Sequence, residues 1–282
     1  MKDRNLRDRL ITVLVGVPLV LASVFFVPMY NYILFSLLVV FMATLGSLEM
    51  SRLLFGRHVL AACLAPIVPM VQYLQGLFGF NQGITELAFV LILLFCFATE
   101  IKLGETDSFK GSLDRISRSC IIIVYPGFFL SFFLRMLAME GMNSRIIMTY
   151  LILAFGNDVF AYVWGRLFGK NNKGILKASP NKSVAGFVGS LFTTIGLSFA
   201  CFALFRDYMP QTNAVMKILL GVAVSISQNV GDLLESVLKR SAGVKDSGRV
   251  IPGRGGALDC LDSEIFSAPM FFIILNLIME AA

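Results

Sequence analysis

Charge is what this sequence has least of. Only 15% of its 282 residues are Asp, Glu, Lys or Arg, while 57% are hydrophobic and the mean hydropathy is +0.79. Soluble globular domains run near about 25% charged, so a soluble fold is excluded and counting domains by length does not apply. Histidine occurs once, as His58 beside Arg57 at a predicted helix start. With no second histidine, a histidine-based metal site is excluded and an interfacial role remains. The five cysteines, at 63, 96, 120, 201 and 260, form no CxxC pair. Four of them sit in apolar stretches and read as small core hydrophobes. The fifth, Cys260, lies in a charged segment. Internal repeats and low-complexity tracts are also missing. The net charge of +6 could suggest nucleic acid, but the basic residues are placed as membrane topology and an anionic ligand would place them.

What fills the chain is apolar runs of spanning length. The pattern predicts an all-α polytopic membrane protein with nine helices, at 10–29, 31–50, 58–79, 86–101, 119–139, 146–166, 185–205, 214–235 and 264–282, the fourth being short for a span. The first is expected to be a retained helix, since its apolar run is too long for a signal peptide's core. With the N-terminus in the cytoplasm, 20 of the 24 basic residues fall on one side, and only Arg135, Arg145, Arg206 and Lys217 fall outside. The hydrophilic loop 102–118 separates N-terminal membrane helices (1–101) from a C-terminal catalytic membrane region (119–282). The cavity of the second part is expected to face the cytoplasm.

Charge concentrates between Ser236 and Ser263, where Lys239, Arg240, Lys245, Asp246, Arg249, Arg254, Asp259 and Asp262 stand between apolar segments. Such density beside lipid points to a charged ligand or a metal. Gly248, Gly253, Gly255 and Gly256 with Pro252 predict a tight turn whose backbone can approach a phosphate. Asp259 and Asp262 share a helix face if the following helix starts before them. Upstream, Ser225, Gln228, Asn229, Asp232, Ser236 and Lys239 recur on one face of a helix, with Glu235 on the same side. Val222, Ile226, Val230, Leu233, Leu234 and Val237 form its apolar back. A second stripe carries Asn157, Asp158, Tyr162, Gly165, Arg166 and Gly169, its glycines suiting close helix packing, and the loop Ser179-Pro180-Asn181-Lys182-Ser183 follows. Glu49 and Glu100, at helix ends, read as interfacial.

Segment 231–263, GDLLESVLKRSAGVKDSGRVIPGRGGALDCLDS, resembles the signature of the phosphatidate cytidylyltransferases, also called CDP-diacylglycerol synthases. That pattern is close to S-x-x-K-R-x-x-x-x-K-D-x-G-x-x-x-P-G-H-G-G-x-x-D-R-x-D. Segment 157–186 resembles the family's second block, roughly ND-x-x-AY-x-x-GR-x-x-GK and then SP-x-K-[ST]-x-EG. Arg254 stands where the family usually has His, Cys260 where it has Arg, and Ala185 where it has Glu.

The resemblance implies transfer of CMP from CTP to phosphatidate, giving CDP-diacylglycerol and pyrophosphate. It implies Asp232 and Asp259 as ligands of Mg²⁺ with a neighbouring K⁺, supported by Asp246, Asp262 and Glu235. Lys239 joins the catalytic set, Arg240, Lys245 and Arg254 hold CTP phosphates, and Asp158, Tyr162, Arg166, Lys170, Ser179 and Lys182 order nucleotide or lipid headgroup. The expected setting is a bacterial-type inner membrane, with room for a homodimer. Two alternatives stand beside this reading. One is a CTP-dependent enzyme acting on another lipid phosphate, of isoprenoid type. The other is a non-catalytic transporter or scaffold, although the broken-helix symmetry of transporters is missing. The charge bias makes a topological prediction: single cysteines at Ser179 and Ser247, in a background lacking the native ones, should resist an impermeant maleimide added outside intact cells. Labelling of either from outside would reverse the orientation.

Overall fold

The computed structural model describes residues 14–280 apart from 17, 26, 27, 82, 140–142, 175 and 176. Eleven α-helices follow one another: α1 (Leu14–Phe25), α2 (Met29–Phe55), α3 (Leu60–Leu64), α4 (Ile67–Phe78), α5 (Ile84–Gly104), α6 (Ser112–Ile122), α7 (Phe129–Leu137), α8 (Asn143–Phe168), α9 (Val184–Leu204), α10 (Ala214–Ser241) and α11 (Leu258–Glu280). Among the described residues there is no β-strand, and eight helices are long and apolar enough to cross a membrane. Eight of the nine expected helices match these. The first, 10–29, lies partly outside the described residues, as do Lys2, Arg4, Arg7 and Arg9, and shows the shorter α1.

Several boundaries differ from expectation, each for a local reason. The fourth helix is not short: helical structure runs over Ile84–Asp107. Most of the expected loop 102–118 is helical too, with its turn confined to 108–111. Arg115 fastens that turn, donating to Glu100 at 2.9 Å and to Asp107 at 2.6 Å. α10 extends to Ser241, where Lys239 and Arg240 complement the negative end of its dipole. α11 begins at Leu258, so Asp259 and Asp262 both lie in its first turns, as their shared-face reading requires. The spans α3–α4 and α6–α7 are each interrupted by proline: Pro66 between the first two, Pro126 in a π-helical turn (Ile123–Phe128) between the second. Proline lacks the N–H that a regular turn needs, and a wider turn accommodates this.

The chain divides into two compact units. One comprises the described part of Met1–Ala138 with Ala242–Leu261. Here α2 packs on α4, α6 and α7, and α4 on α5 and α7, around Phe35, Val39, Ala43, Met50 and Leu130. The other comprises Met139–Ser241 with Asp262–Ala282. Here α9 packs along α8 and α10. The later part of α11 rests on α8, where the Tyr150 hydroxyl donates to the Glu264 carbonyl at 2.7 Å and its ring lies 5.2 Å from that of Phe271.

Small residues let the helices of the second unit approach closely, as membrane bundles require. A Cβ on Gly221 would stand 2.6 Å from the Ile195 Cα, and one on Gly186 would stand 2.8 Å from the Ala161 carbonyl oxygen. A Cβ on Gly196 meets nothing within 4 Å. Gly221→Ala should therefore lower the midpoint of thermal unfolding in detergent, by overpacking of about 1–3 kcal/mol. Gly196→Ala, which gains helix propensity, should leave it level or raise it. Equal midpoints for the two variants would refute backbone-level contact between α9 and α10.

Candidate active site

In the first unit the site is a loop held by two carboxylates. Glu49 lies near the end of α2 and is 4% exposed. Its Oε1 accepts the Ala257 N–H at 3.0 Å; its Oε2 accepts the Leu258 N–H at 3.0 Å and the Ser247 hydroxyl at 3.1 Å. Those two amides open α11 and have no intrahelical acceptor, so Glu49 caps that helix from a distant part of the chain. Asp259 completes the clamp. Its Oδ2 accepts the Ser247 N–H and the Gly256 N–H, each at 2.8 Å, and shares the single Ser247 hydroxyl proton with Glu49, also at 2.8 Å.

This clamp explains the glycines. Gly255 has φ 108°, and a Cβ there would stand 2.6 Å from Asp259 Oδ2. Gly248 and Gly256 would each drive a Cβ into the Glu49 carboxylate. The expectation was that these glycines admit a phosphate. Their geometry shows that they first admit two carboxylates. What remains of the loop encloses a cavity of about 270 Å³, lined by Lys245, Asp246, Gly248, Arg249, Ile251, Pro252, Gly253, Arg254 and Gly255. Lys245, Arg249 and Arg254 are exposed there, giving three cations around a small cup of backbone, a setting for phosphate oxygens.

In the second unit the site lies along α8 and α10. The sequence stripe on α10 is observed: Ser225, Gln228 and Glu235 are buried, while Ile226, Val230, Leu234 and Val237 are exposed. Asp232, half-buried, forms an ion pair with Lys182. Lys182 is positioned by a turn in which its N–H donates to the Ser179 carbonyl at 3.2 Å, just before Ser183 caps α9 by accepting the Gly186 N–H at 3.1 Å. Asp158 and Asp262 lie within electrostatic reach of Asp232 and of each other, and Asp262 also of Glu235 and Lys239. Lys239 pairs with Glu235 at 2.5 Å. On α8, Arg166 donates to the exposed Tyr162 hydroxyl at 3.0 Å, and Lys170 is exposed beyond the helix end. Gly165 and Gly169 pack against Ser183 and serve the helix contact.

The predicted residues therefore fall into two sets. Asp158, Lys182, Asp232, Glu235, Lys239 and Asp262 are brought together in the second unit. Lys245, Asp246, Arg254 and Asp259 are brought together in the first. Arg240 is exposed at the end of α10, and Ser179 contributes a backbone carbonyl to the lysine's turn. Sequence reading missed two participants. Glu49, taken as interfacial, is buried and holds the loop; the available signal was a carboxylate inside an apolar helix. Arg249, noted only for its charge, lines the cavity.

Among the described residues, no three His, Cys, Asp or Glu side chains converge as an all-protein metal cage requires. Mg²⁺ rarely uses such a cage, taking about one or two carboxylates and completing its octahedron with phosphate oxygens and water. Asp232, with Asp158 and Asp262 near it, fits that donor set, and the Lys182 ammonium meets their negative charge.

Fold and site together define a multi-pass helical membrane protein with exposed cations around a loop cavity and clustered carboxylates. The chain belongs to the cytidylyltransferase family, whose sequence profile matches residues 7–278. It is 30% identical over 203 residues to the uncharacterized protein YnbB of Escherichia coli (strain K12), covering 71% of this chain and 66% of that one. It is 40% identical over 138 residues to a phosphatidate cytidylyltransferase of Staphylococcus aureus (strain COL), covering 48% and 50%. It is 34% identical over 160 residues to one from Thermotoga maritima, covering 56% and 58%. The chain thus spans between half and two thirds of the length of these curated relatives.

Glu49→Gln replaces one acceptor oxygen by an NH₂ facing backbone donors. Hydrogen bonds to a charged group contribute about 1.5–3 kcal/mol, so amide exchange at Ala257 and Leu258 should accelerate by about ten- to hundredfold. Unchanged protection at both amides would show that the clamp does not hold the loop.

Proposed function

We propose that the chain transfers CMP from CTP to a lipid phosphate, with phosphatidate as the first choice, releasing pyrophosphate. The observation that carries this reading is the Lys182–Asp232 ion pair, which joins the two sequence blocks, 50 residues apart, beside Asp158 and Asp262. The names of the relatives from Staphylococcus aureus and Thermotoga maritima support the same substrates.

In this reaction a phosphate oxygen of the lipid attacks the α-phosphorus of CTP, and the bond from that phosphorus to the bridging oxygen of the β-phosphate breaks. The lipid phosphate is already ionised at neutral pH, so no strong general base is needed. The work is positioning and charge neutralisation. Lys245, Arg249 and Arg254 take nucleotide phosphates over the loop cavity, with Asp246 at its edge. Lys182 leaves Asp232 to neutralise arriving phosphate, and Lys239 and Arg240 add positive charge at the end of α10. Tyr162, Arg166 and Lys170 contact headgroup or nucleotide from the exposed face of α8.

Bound Mg²⁺ supplies neutralisation of the triphosphate and of the leaving pyrophosphate. Asp232 and Asp259 are the proposed ligands for it and for an accompanying K⁺, with Asp158, Asp246, Asp262 and Glu235 in support. The membrane is proposed to be the bacterial inner membrane, with both basic loops in the cytoplasm.

Purified protein given labelled CTP, Mg²⁺ and phosphatidate should form labelled CDP-diacylglycerol. Asp232→Asn should reduce turnover by about a hundredfold or more with the fold intact by circular dichroism. Near-normal turnover of that variant at saturating Mg²⁺ would remove Asp232 from the site.

A further inference from the structure

One cavity of the first unit has no part in the reaction just described. It measures about 220 Å³ and lies between the α2–α3 joint, α5 and α6. It shares no lining residue with the loop cavity. Arg57 and His58, adjacent in the joint, both line it and are both exposed. The joint is held by its peptide groups. Gly56, with φ 69°, closes α2, and its N–H donates to the Arg52 carbonyl at 2.9 Å. The Ser51 hydroxyl then donates to the Arg57 carbonyl at 2.7 Å and accepts the Val59 N–H at 3.0 Å. The side chains of Arg57 and His58 take no part in this anchoring. Arg52 Nε donates to His58 Nε2 at 3.1 Å, which leaves Nδ1 as the nitrogen from which the imidazole donates. Among the described residues, neither Arg52 nor Arg57 forms an ion pair.

The rest of the lining indicates the ligand. Glu100 is its one carboxylate, and both oxygens accept from Arg115 Nε, at 2.9 and 3.1 Å, so its charge is already met within the wall. Leu60 and Leu103 also line the cavity, yet are 45% and 51% exposed. Leu60 opens the span Leu60–Phe78, and Leu103 lies in the last turns of the span Ile84–Asp107. Two spans separate the end of α2 from the end of α5, so both ends reach the same face of the membrane. The cavity therefore stands at a membrane boundary, with unpaired cations and exposed apolar side chains sharing its rim. A soluble anion requires only the cations. An anionic glycerophospholipid presents a phosphate of uncompensated charge with apolar chains directly beneath it, and basic pockets between membrane helices suit such headgroups.

We propose that this cavity holds the phosphate of an anionic phosphodiester lipid from the surrounding leaflet. Arg57 and His58 donate to its oxygens, Arg52 adds positive charge beside them, and the chains lie outside along Leu60 and Leu103. This lipid is a resident of the first unit and does not react, since none of the lining residues belongs to the site of CMP transfer. The inference therefore stands apart from the transferase reading.

The test gives the purified full chain, in detergent, a phosphatidylglycerol that carries a photoreactive group on its headgroup, and maps the crosslinked peptides. Label is expected on residues 55–61 and 96–103, which contribute most of the cavity wall. Unlabelled phosphatidylglycerol should remove it. Phosphatidylcholine of equal chain length, whose choline offsets the phosphate charge, should not, and neither should inorganic phosphate. The double variant Arg57→Ala, His58→Ala should lower the label on these two segments by about tenfold or more, as loss of charged hydrogen bonds requires. Label on neither segment, equal competition by phosphatidylcholine, or undiminished label in the double variant overturns the proposal. Displacement by inorganic phosphate overturns it too, by making the cavity a site for a free anion. The competition series uses only the wild-type chain, so a double variant that fails to fold leaves the proposal open to refutation.

Discussion

The Glu49 carboxylate is the contact on which the loop of the first unit depends. It accepts two backbone amides and a hydroxyl while 4% exposed, 198 residues from Ser247 in the chain. A buried carboxylate is costly unless donors surround it, and the start of a helix offers donors that need an acceptor. Each group meets the other's requirement. Asp259 then closes the loop from the other side, and Lys245, Arg249 and Arg254 are left facing the cavity between them.

The second unit handles the same electrostatic constraint with side chains. Asp232 is met by Lys182, and Glu235 by Lys239 one turn away. Asp158 lies within reach of Lys182 and Asp262 within reach of Lys239, so these carboxylates have a cation near them before any ligand arrives, which is how a membrane protein can keep such charge folded. At Gln228, whose side-chain amide meets no hydrogen-bond partner among the described residues, the buried group is neutral, and its burial is costly but tolerable.

Much of this was legible in the primary structure. The polar and apolar faces of α10 follow from a spacing of 3.6 residues, and Ser225, Gln228 and Glu235 turn inward as that spacing requires. The glycine-rich stretch is a non-helical loop, as Gly253, Gly255 and Pro252 indicate. The ends of α10 and α11 were less legible, because hydropathy falls at Lys239 and Asp259 while the helices continue. There, ion pairing and distant capping sustain the helix, and neither leaves a mark on hydropathy. Glu49 was misread for the same reason: its partners are remote in sequence, and only packing brings them to it.

The clamp grips the loop mainly by its peptide N–H groups, which every residue but proline carries. Apart from its glycines and Ser247, the loop's shape therefore depends little on the side chains that project from it. Arg254 sets what the loop offers to a ligand, while the clamp on the peptide groups sets the course of its backbone. Such a loop can drift in substrate preference one side chain at a time, because its architecture and its chemistry are encoded in different atoms.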